Sequence, residues 1–306
     1  MIRRIALRSI LKTLTARFVV RWFREARTSL QKRRLPKTKE RFLGATVFPE
    51  YLESNVLGTL QRRYPFPSEY GYDSKSIERR GEFRAREILR LPRTNSMRSF
   101  LELGCWDGMV SCSLHRRSKE TTAIDLRSEG FDKRAQEEGV ALVQMDAENL
   151  QFADESYDCI FSYDSFEHFR HPDVVLQNAL RVLKKNGLLY LVFGPLYMSP
   201  FGQHAYRSIT VPYCQFLFPR SALVDFVASR GLERIEFENV NEWPVTRFRK
   251  LWAEYASRLR CVGYSEILNL KHLQLVNSYP TCFRSKTSDF DNLIVESIEI
   301  ALEKTC

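Results

Sequence analysis

The sequence predicts an α/β fold, a largely parallel sheet with helices on both faces. Three observations carry the prediction. Between about residues 98 and 239, short apolar runs alternate with amphipathic stretches, the pattern of repeated βα units. The run at 98–103 leads directly into two glycines four positions apart, Gly104 and Gly108, with an acid, Glu102, inside the run. Glycine lets a backbone approach a ligand with no Cβ in the way, and ligands of open α/β sheets bind off the carboxyl ends of the strands. Three further acids, Asp125, Asp146 and Asp164, close the next three apolar runs.

The elements follow in order. Residues 1–24 contain no acid, and Leu7, Ile10, Leu11, Leu14 and Phe18 share one helical face, with Arg8, Lys12 and Arg21 away from it. This arm has three readings: a basic amphipathic helix on an anionic membrane surface, an Arg-rich transit peptide, or a solvated helix packed on protein. No run reaches the roughly 18 apolar residues of a membrane span. Residues 31–73 read as a linker with a charged break at 31–36 and aromatic turns around Tyr64 and Tyr72. A helix over 74–91, capped by Ser74 or Ser76, stops before Pro92. Strands follow at about 98–103, 121–124, 140–144 and 157–163. Helices are expected at about 107–117, before Gly139, and over 172–185, the last stopped by Asn186-Gly187. A fifth strand at 188–193, a helix at 219–230 closed by Gly231, and a sixth strand at 233–238 complete the repeat. A charged, aromatic stretch of mostly helical character precedes a final strand at about 293–301.

Composition restricts the function. The chain of 306 residues carries a net charge of +10. Residues 1–41 hold 14 Lys and Arg against two acids, leaving 33 bases and 35 acids on the rest. The body is therefore near neutral, which argues against a nucleic-acid-binding face. Seven cysteines are scattered without a C-x-x-C pair. A disulfide framework or zinc site is not expected, no metal is expected, and a reducing, cytoplasmic setting fits, with the membrane surface as the variant. Cys105, Cys112 and Cys159 fall in apolar runs and are expected to pack as small hydrophobes.

The turn does not match the G-x-G-x-x-G of dinucleotide folds, because Trp106 stands where the second glycine belongs. It resembles motif I of the class I S-adenosylmethionine-dependent methyltransferases, acid-x-G-x-x-x-G, here Glu102-Leu103-Gly104-Cys105-Trp106-Asp107-Gly108. The stretch from Phe152 to Ser162, Phe166-Glu167-His168-Phe169, and Leu180-Arg-Val-Leu-Lys-Lys-Asn-Gly187 are similar to the second half of the methyltransferase type 11 family. That family usually has Pro-Gly-Gly where Lys185-Asn186-Gly187 stands. The resemblance implies a Rossmann-like seven-stranded methyltransferase sheet, its last strand antiparallel, with an N-terminal helical arm and a helical cap insertion. The expected division is an arm at 1–41, a linker and helical cap at 42–97, and the catalytic domain at 98–303. Within that domain the core is 98–239 plus the final strand at 290–303, and 195–218 and 240–288 are acceptor-side insertions.

The resemblance also implies the cofactor, S-adenosylmethionine, and its contacts. Glu102, Gly104, Cys105, Trp106 and Gly108 would line its methionine end, with Asp164 and Ser165 near the transferable methyl. Asp125, 21 positions after Gly104, and Leu126 would meet the ribose. Asp146, Ala147 and Glu148 would meet the adenine. The bulk of Trp106 leaves open a non-catalytic, methyltransferase-like subunit with a filled pocket. An oxygen acceptor needs a base, and His168 beside Glu167, or His204, is placed to serve. His204 lies in an aromatic stretch with Tyr197, Phe201, Tyr206, Tyr213, Phe216 and Phe218. It resembles a segment in methyltransferases of sugar and polysaccharide clusters. The expected acceptor is therefore a small molecule or glycan precursor, with a membrane lipid or quinone-like molecule as the alternative.

Overall fold

The computed structural model describes residues 33–65 and 71–305. Residues 1–32 of the basic arm read at 1–41, and residues 66–70 between the two aromatic turns, lie outside the described residues. The chain divides into two compact units, one of residues 1–52 with 269–290 and one of residues 53–268 with 291–306.

The larger unit is built on a seven-stranded sheet. Its strands are β1 (Ser99–Leu103), β2 (Glu120–Asp125), β3 (Ala141–Gln144), β4 (Tyr157–Tyr163), β5 (Leu183–Phe193), β6 (Leu259–Leu268) and β7 (Val295–Lys304). The order is β3-β2-β1-β4-β5-β7-β6, with β1 to β5 parallel and β7 antiparallel to both neighbours. The chain order reverses at β1, flanked by β2 and β4. That switch point opens a crevice at the carboxyl ends, which is where such sheets bind ligands.

Two-residue alternation sorts the β1 side chains between two helical layers. Leu101 and Leu103 join Ile124, Ile160, Leu189 and Leu191 under α6 (Pro172–Val182) and α9 (Val245–Glu254). Phe100 joins Cys159, Phe161 and Tyr190 under α3 (Ser74–Leu89) and α4 (Met109–His115). Each fully buried Leu or Phe contributes about 1.5–3 kcal/mol of hydrophobic stabilisation. Glu102 shares the Phe100 face, so a carboxyl is carried into a core layer. Gly81 lets α3 press onto the start of α4: a Cβ there would stand 2.4 Å from the Met109 carbonyl oxygen. Cys105, Cys112 and Cys159 are buried thiols, as their apolar runs imply.

Several boundaries differ from the sequence reading. Asp73, not Ser74 or Ser76, caps α3, accepting from the Lys75 and Ser76 N–H groups. A carboxylate at this position satisfies orphan amides and favours the positive end of the helix dipole. Helix α6 stops at Val182 rather than near Lys185. Asn186, at φ 61°, bends the start of β5, where pairing with β4 slips between Tyr157 and Cys159. The strand expected at 233–238 does not form; that segment is irregular and ends in a short 3₁₀ turn, Phe237–Asn239. The sheet takes its sixth strand from Leu259–Leu268, inside the stretch read as an insertion. Residues 240–288 are thus not a helical cap throughout. Tyr264, Ile267 and Leu268 in β6 are exposed, so β6 lacks the buried face that marks a core strand.

The smaller unit holds a helix over 33–43, which includes Pro36 where a break was expected, with α10 (Leu273–Ser278) and α11 (Pro280–Arg284). Phe42 and Phe290 pack with ring centroids 5.5 Å apart, Phe283 is buried, and Lys286 pairs with Glu50.

Candidate active site

The β1 turn is held open by backbone geometry. Gly104 and Gly108 have φ of 69° and 73°, in the left-handed region that disfavours a side chain. A Cβ on Gly104 would lie 2.5 Å from the Ser165 Cβ. Ser165 is fixed there because its hydroxyl donates to the Gly104 carbonyl at 2.8 Å. The turn after β1 and the turn after β4 therefore meet, and Cys105 is buried behind them.

Asp125 ends β2 with each carboxylate oxygen on a backbone donor: Oδ2 on the Trp106 N–H at 2.9 Å, Oδ1 on the Arg127 N–H at 3.1 Å. Each oxygen retains a lone pair. Trp106 and Leu126 beside it are half-exposed or more, an apolar surface flanking an acid. Trp106 is 50 % exposed. Its indole lies against Gly130, where a Cβ would stand 2.9 Å from the ring. At the end of β3, Asp146 is exposed and accepts from the Glu148 N–H at 2.8 Å, and Ala147 is buried. Glu148 is engaged by His171, whose backbone N–H and Nδ1 lie 2.8 and 2.7 Å from its carboxylate. Of the two acids in this turn, Asp146 is the one left facing solvent.

Glu102 is 2 % exposed and accepts from the Ser111 hydroxyl at 2.7 Å and N–H at 3.1 Å. Burial pushes its carboxyl up to about 8, with Ser111 opposing the shift and nearby Asp107 adding to it. Two arginines one turn apart on α3 reach this acidic edge. Arg80 pairs with Asp107 at 3.4 Å and Arg84 with Asp164. Neither arginine was singled out in the sequence, although their i, i+4 spacing places both on one helix face.

On the other side of Ser165 the structure brings Glu167, His168 and His204 together, with one ligand atom from each within 4.8 Å of the others. Glu167 is 2 % exposed and neither carboxylate oxygen has a hydrogen-bond partner. Burial and the charge of Asp164 push its carboxyl well above its usual value, while the amides of Glu167 itself and Gly194 lie close enough to oppose them. His168 meets the Asn239 carbonyl through Nδ1, and His204 meets the Pro195 carbonyl through Nε2 at 2.9 Å. The two rings are perpendicular, 4.8 Å apart. Burial lowers both histidines, His204 to about 4, so both are neutral imidazoles at neutral pH. Asn241 holds the turn by donating to the Glu167 and Phe166 carbonyls. Phe166, Phe193, Phe248 and Trp252 pack behind it.

The aromatic wall expected at 195–218 is only partly present. Tyr213, Phe216 and Phe218 are buried core rings, Tyr213 donating to the Leu293 carbonyl. Tyr197, Phe201 and Tyr206 retain some exposure.

The strand order, the glycine turn and the acids along the carboxyl edge define the class I methyltransferase fold. Residues 101–191 match the type 11 family described as a methyltransferase domain. Over 140 residues it is 31% identical to a fatty-acid O-methyltransferase of Mycolicibacterium smegmatis, covering 44% of this chain and 49% of that one. Over 159 residues it is 26% identical to a ubiquinone biosynthesis O-methyltransferase of Paracidovorax citrulli, covering 44% and 67%. The chain thus spans about half the length of the first of these relatives. A solved structure of a Pyrococcus horikoshii protein superposes with a TM-score of 0.48 at 18% identity, covering 80% of this chain and 98% of that one.

Proposed function

We propose that the protein is an S-adenosylmethionine-dependent O-methyltransferase acting on an apolar small molecule of lipid or quinone type. The observation that carries the reading is the meeting of Glu167, His168 and His204 beside the Gly104–Ser165 seam of a methyltransferase domain. The cofactor supplies an electrophilic methyl on a sulfonium.

The chain's own groups suit it. Asp125 offers two oxygens to a ribose diol, and Trp106 and Leu126 offer apolar surface beside it. Asp146 faces where an adenine amine would be met. Asp164 supplies negative charge for an ammonium, with Glu102 adding to it once ionised, and Arg80 and Arg84 supply positive charge for a carboxylate. With the cofactor bound to supply the methyl, a group of the Glu167–His168–His204 cluster would take the proton of the acceptor oxygen as that oxygen takes up the methyl. The protein's main task is alignment of oxygen, methyl and sulfur, and the Glu167–His168–His204 group handles the acceptor's oxygen.

The surroundings favour an apolar acceptor over a glycan. The turn is backed by Phe166, Phe248 and Trp252, and three of the rings that could have stacked on a sugar are core. Both O-methyltransferase relatives bear names with lipid or quinone acceptors. Among the described residues no helix is long and apolar enough to cross a membrane. The basic segment at 1–30 suits contact with an anionic membrane surface, from which such an acceptor could be drawn.

The test is calorimetric titration with S-adenosylmethionine, followed by assay of S-adenosylhomocysteine release with a long-chain fatty acid and a catechol-headed quinol analogue. Turnover with an apolar hydroxyl or carboxyl acceptor is expected, with Glu167→Gln losing turnover but not cofactor affinity. Cofactor binding without turnover on any apolar acceptor overturns the acceptor class. No binding by the folded protein overturns the methyltransferase reading itself.

A further inference from the structure

We propose that Glu167, His168 and His204 form a binding site for a divalent cation of the zinc type, with a coordination position left open toward the acceptor side. The donor set is one carboxylate and two imidazoles, which suits a borderline metal better than magnesium or calcium. The carboxylate is the unusual part. Glu167 is 2 % exposed, and both its oxygens lack any hydrogen-bond donor. Buried acids are ordinarily paired, hydrogen-bonded or metal-bound. Neither histidine supplies a donor: the Glu167 Oε1 to His168 Nε2 distance is 3.9 Å.

The histidines are oriented as ligands. Each places one ring nitrogen on a backbone carbonyl, His168 Nδ1 on Asn239 and His204 Nε2 on Pro195. Those carbonyls can only accept, so they hold the proton on Nδ1 of His168 and Nε2 of His204. The lone pairs are thereby left on His168 Nε2 and His204 Nδ1. A second-shell carbonyl that fixes the tautomer is the usual support for a metal-bound histidine. Two ring nitrogens and a buried carboxyl with no hydrogen-bond partner thus stand together, a donor set that a cation would complete. Donors of a four-coordinate zinc site stand roughly 3.3 Å apart; the present spread, up to 4.8 Å, asks for a contraction that χ rotation of Glu167 can supply. Three protein ligands leave a fourth position, the arrangement of a catalytic rather than a structural site.

The inference rests on the methyl-transfer reading only for the role of the ion, polarising an acceptor oxygen. Its existence is tested without cofactor or acceptor. The full chain, stripped with chelator, is titrated with Zn2+ by calorimetry and then with Co2+ by visible absorption. One equivalent of Zn2+ should bind at micromolar affinity or tighter, and Co2+ should give d–d bands of a four- or five-coordinate nitrogen–oxygen site. Glu167→Gln, which keeps the shape, and His204→Ala should each weaken Zn2+ binding at least tenfold, with the cofactor titration unchanged. Cys261→Ser controls for the exposed thiol and should leave binding intact. Absence of a stoichiometric ion, or binding lost in Cys261→Ser and retained in Glu167→Gln and His204→Ala, overturns the proposal. Zinc binding with no methyl transfer leaves the site standing and removes only its proposed role.

Discussion

The two sides of the Gly104–Ser165 seam hold their carboxylates by opposite means. On the β1–β3 side each acid leans on backbone amides close by. Asp107 takes the Met109 N–H, Asp146 the Glu148 N–H, and Asp125 the Arg127 and Trp106 N–H groups. On the β4–β5 side Glu167 has no donor, and its histidine neighbours are pinned by carbonyls. The first side presents acids that are already satisfied and need only orient a hydroxyl or amine. The second holds an unsatisfied acid that something else must complete. One side is thus hydrogen-bonded before any ligand arrives, and the other is not.

Asp125 gives the sharpest break of that comparison. If the β1–β3 side is the preformed surface, Asp125→Ala removes two charge-assisted hydrogen bonds to a diol. Together these are worth about 3 kcal/mol, a roughly hundredfold loss of cofactor affinity. Zinc affinity should not change. Calorimetry of both ligands on one variant checks the independence of the two sides.

How far each side could be read from sequence follows from the same difference. Gly104, Gly108, Asp125 and Asp146 were singled out by motif resemblance and by their position at the ends of apolar runs, a signal that local sequence carries. Strands β1 and β4 were legible because both faces are buried and the apolar runs are continuous. His168 and His204 were singled out separately, but nothing local says that they meet. His168 is held by Asn239, 71 residues beyond it, just past a segment read as a strand that is in fact irregular. Strand β6 was missed because its exposed Tyr264 and Ile267 erase the alternation expected of a sheet strand. Arg80 and Arg84 lie in the helix expected at 74–91, and the docking of α3 on α4 at Gly81, which local sequence does not show, accompanies their reach to the acidic edge.

Gly104→Ala tests the seam itself. The substitution adds a side chain at φ 69° and drives it into Ser165. Backbone strain and overpacking together should cost about 2–4 kcal/mol in stability, read as a lower thermal midpoint. Adding Ser165→Gly should recover the packing share and not the backbone share. Full recovery would mean that the left-handed geometry of the turn carries no cost.

A smaller, pH-dependent effect belongs to Glu102. Its folded carboxyl stands near 8 against an ordinary 4.5, so the folded protein binds the extra proton and stability falls as pH rises between those values. The neutral acid offers little to a cofactor ammonium, and the ionised form offers a charge. Cofactor affinity should therefore rise with pH by at most about tenfold per unit from pH 6 toward 8, with proton release on binding. Glu102→Gln should flatten this component and remove the released proton, which calorimetry in buffers of different ionisation enthalpy measures.

Trp106 should give the smallest effect, and that is its value. The sequence allowed it to fill the pocket, which would make the chain a non-catalytic, methyltransferase-like subunit. The structure turns the indole outward onto Gly130 with half its surface in solvent. What it gives the cofactor side is its backbone N–H on Asp125, and any side chain keeps that group. Trp106→Ala should thus change cofactor affinity by less than about tenfold, the loss of one partly exposed apolar contact. A large gain in affinity would show that the indole occupies the crevice, and the comparison between a preformed side and an incomplete side would then reverse.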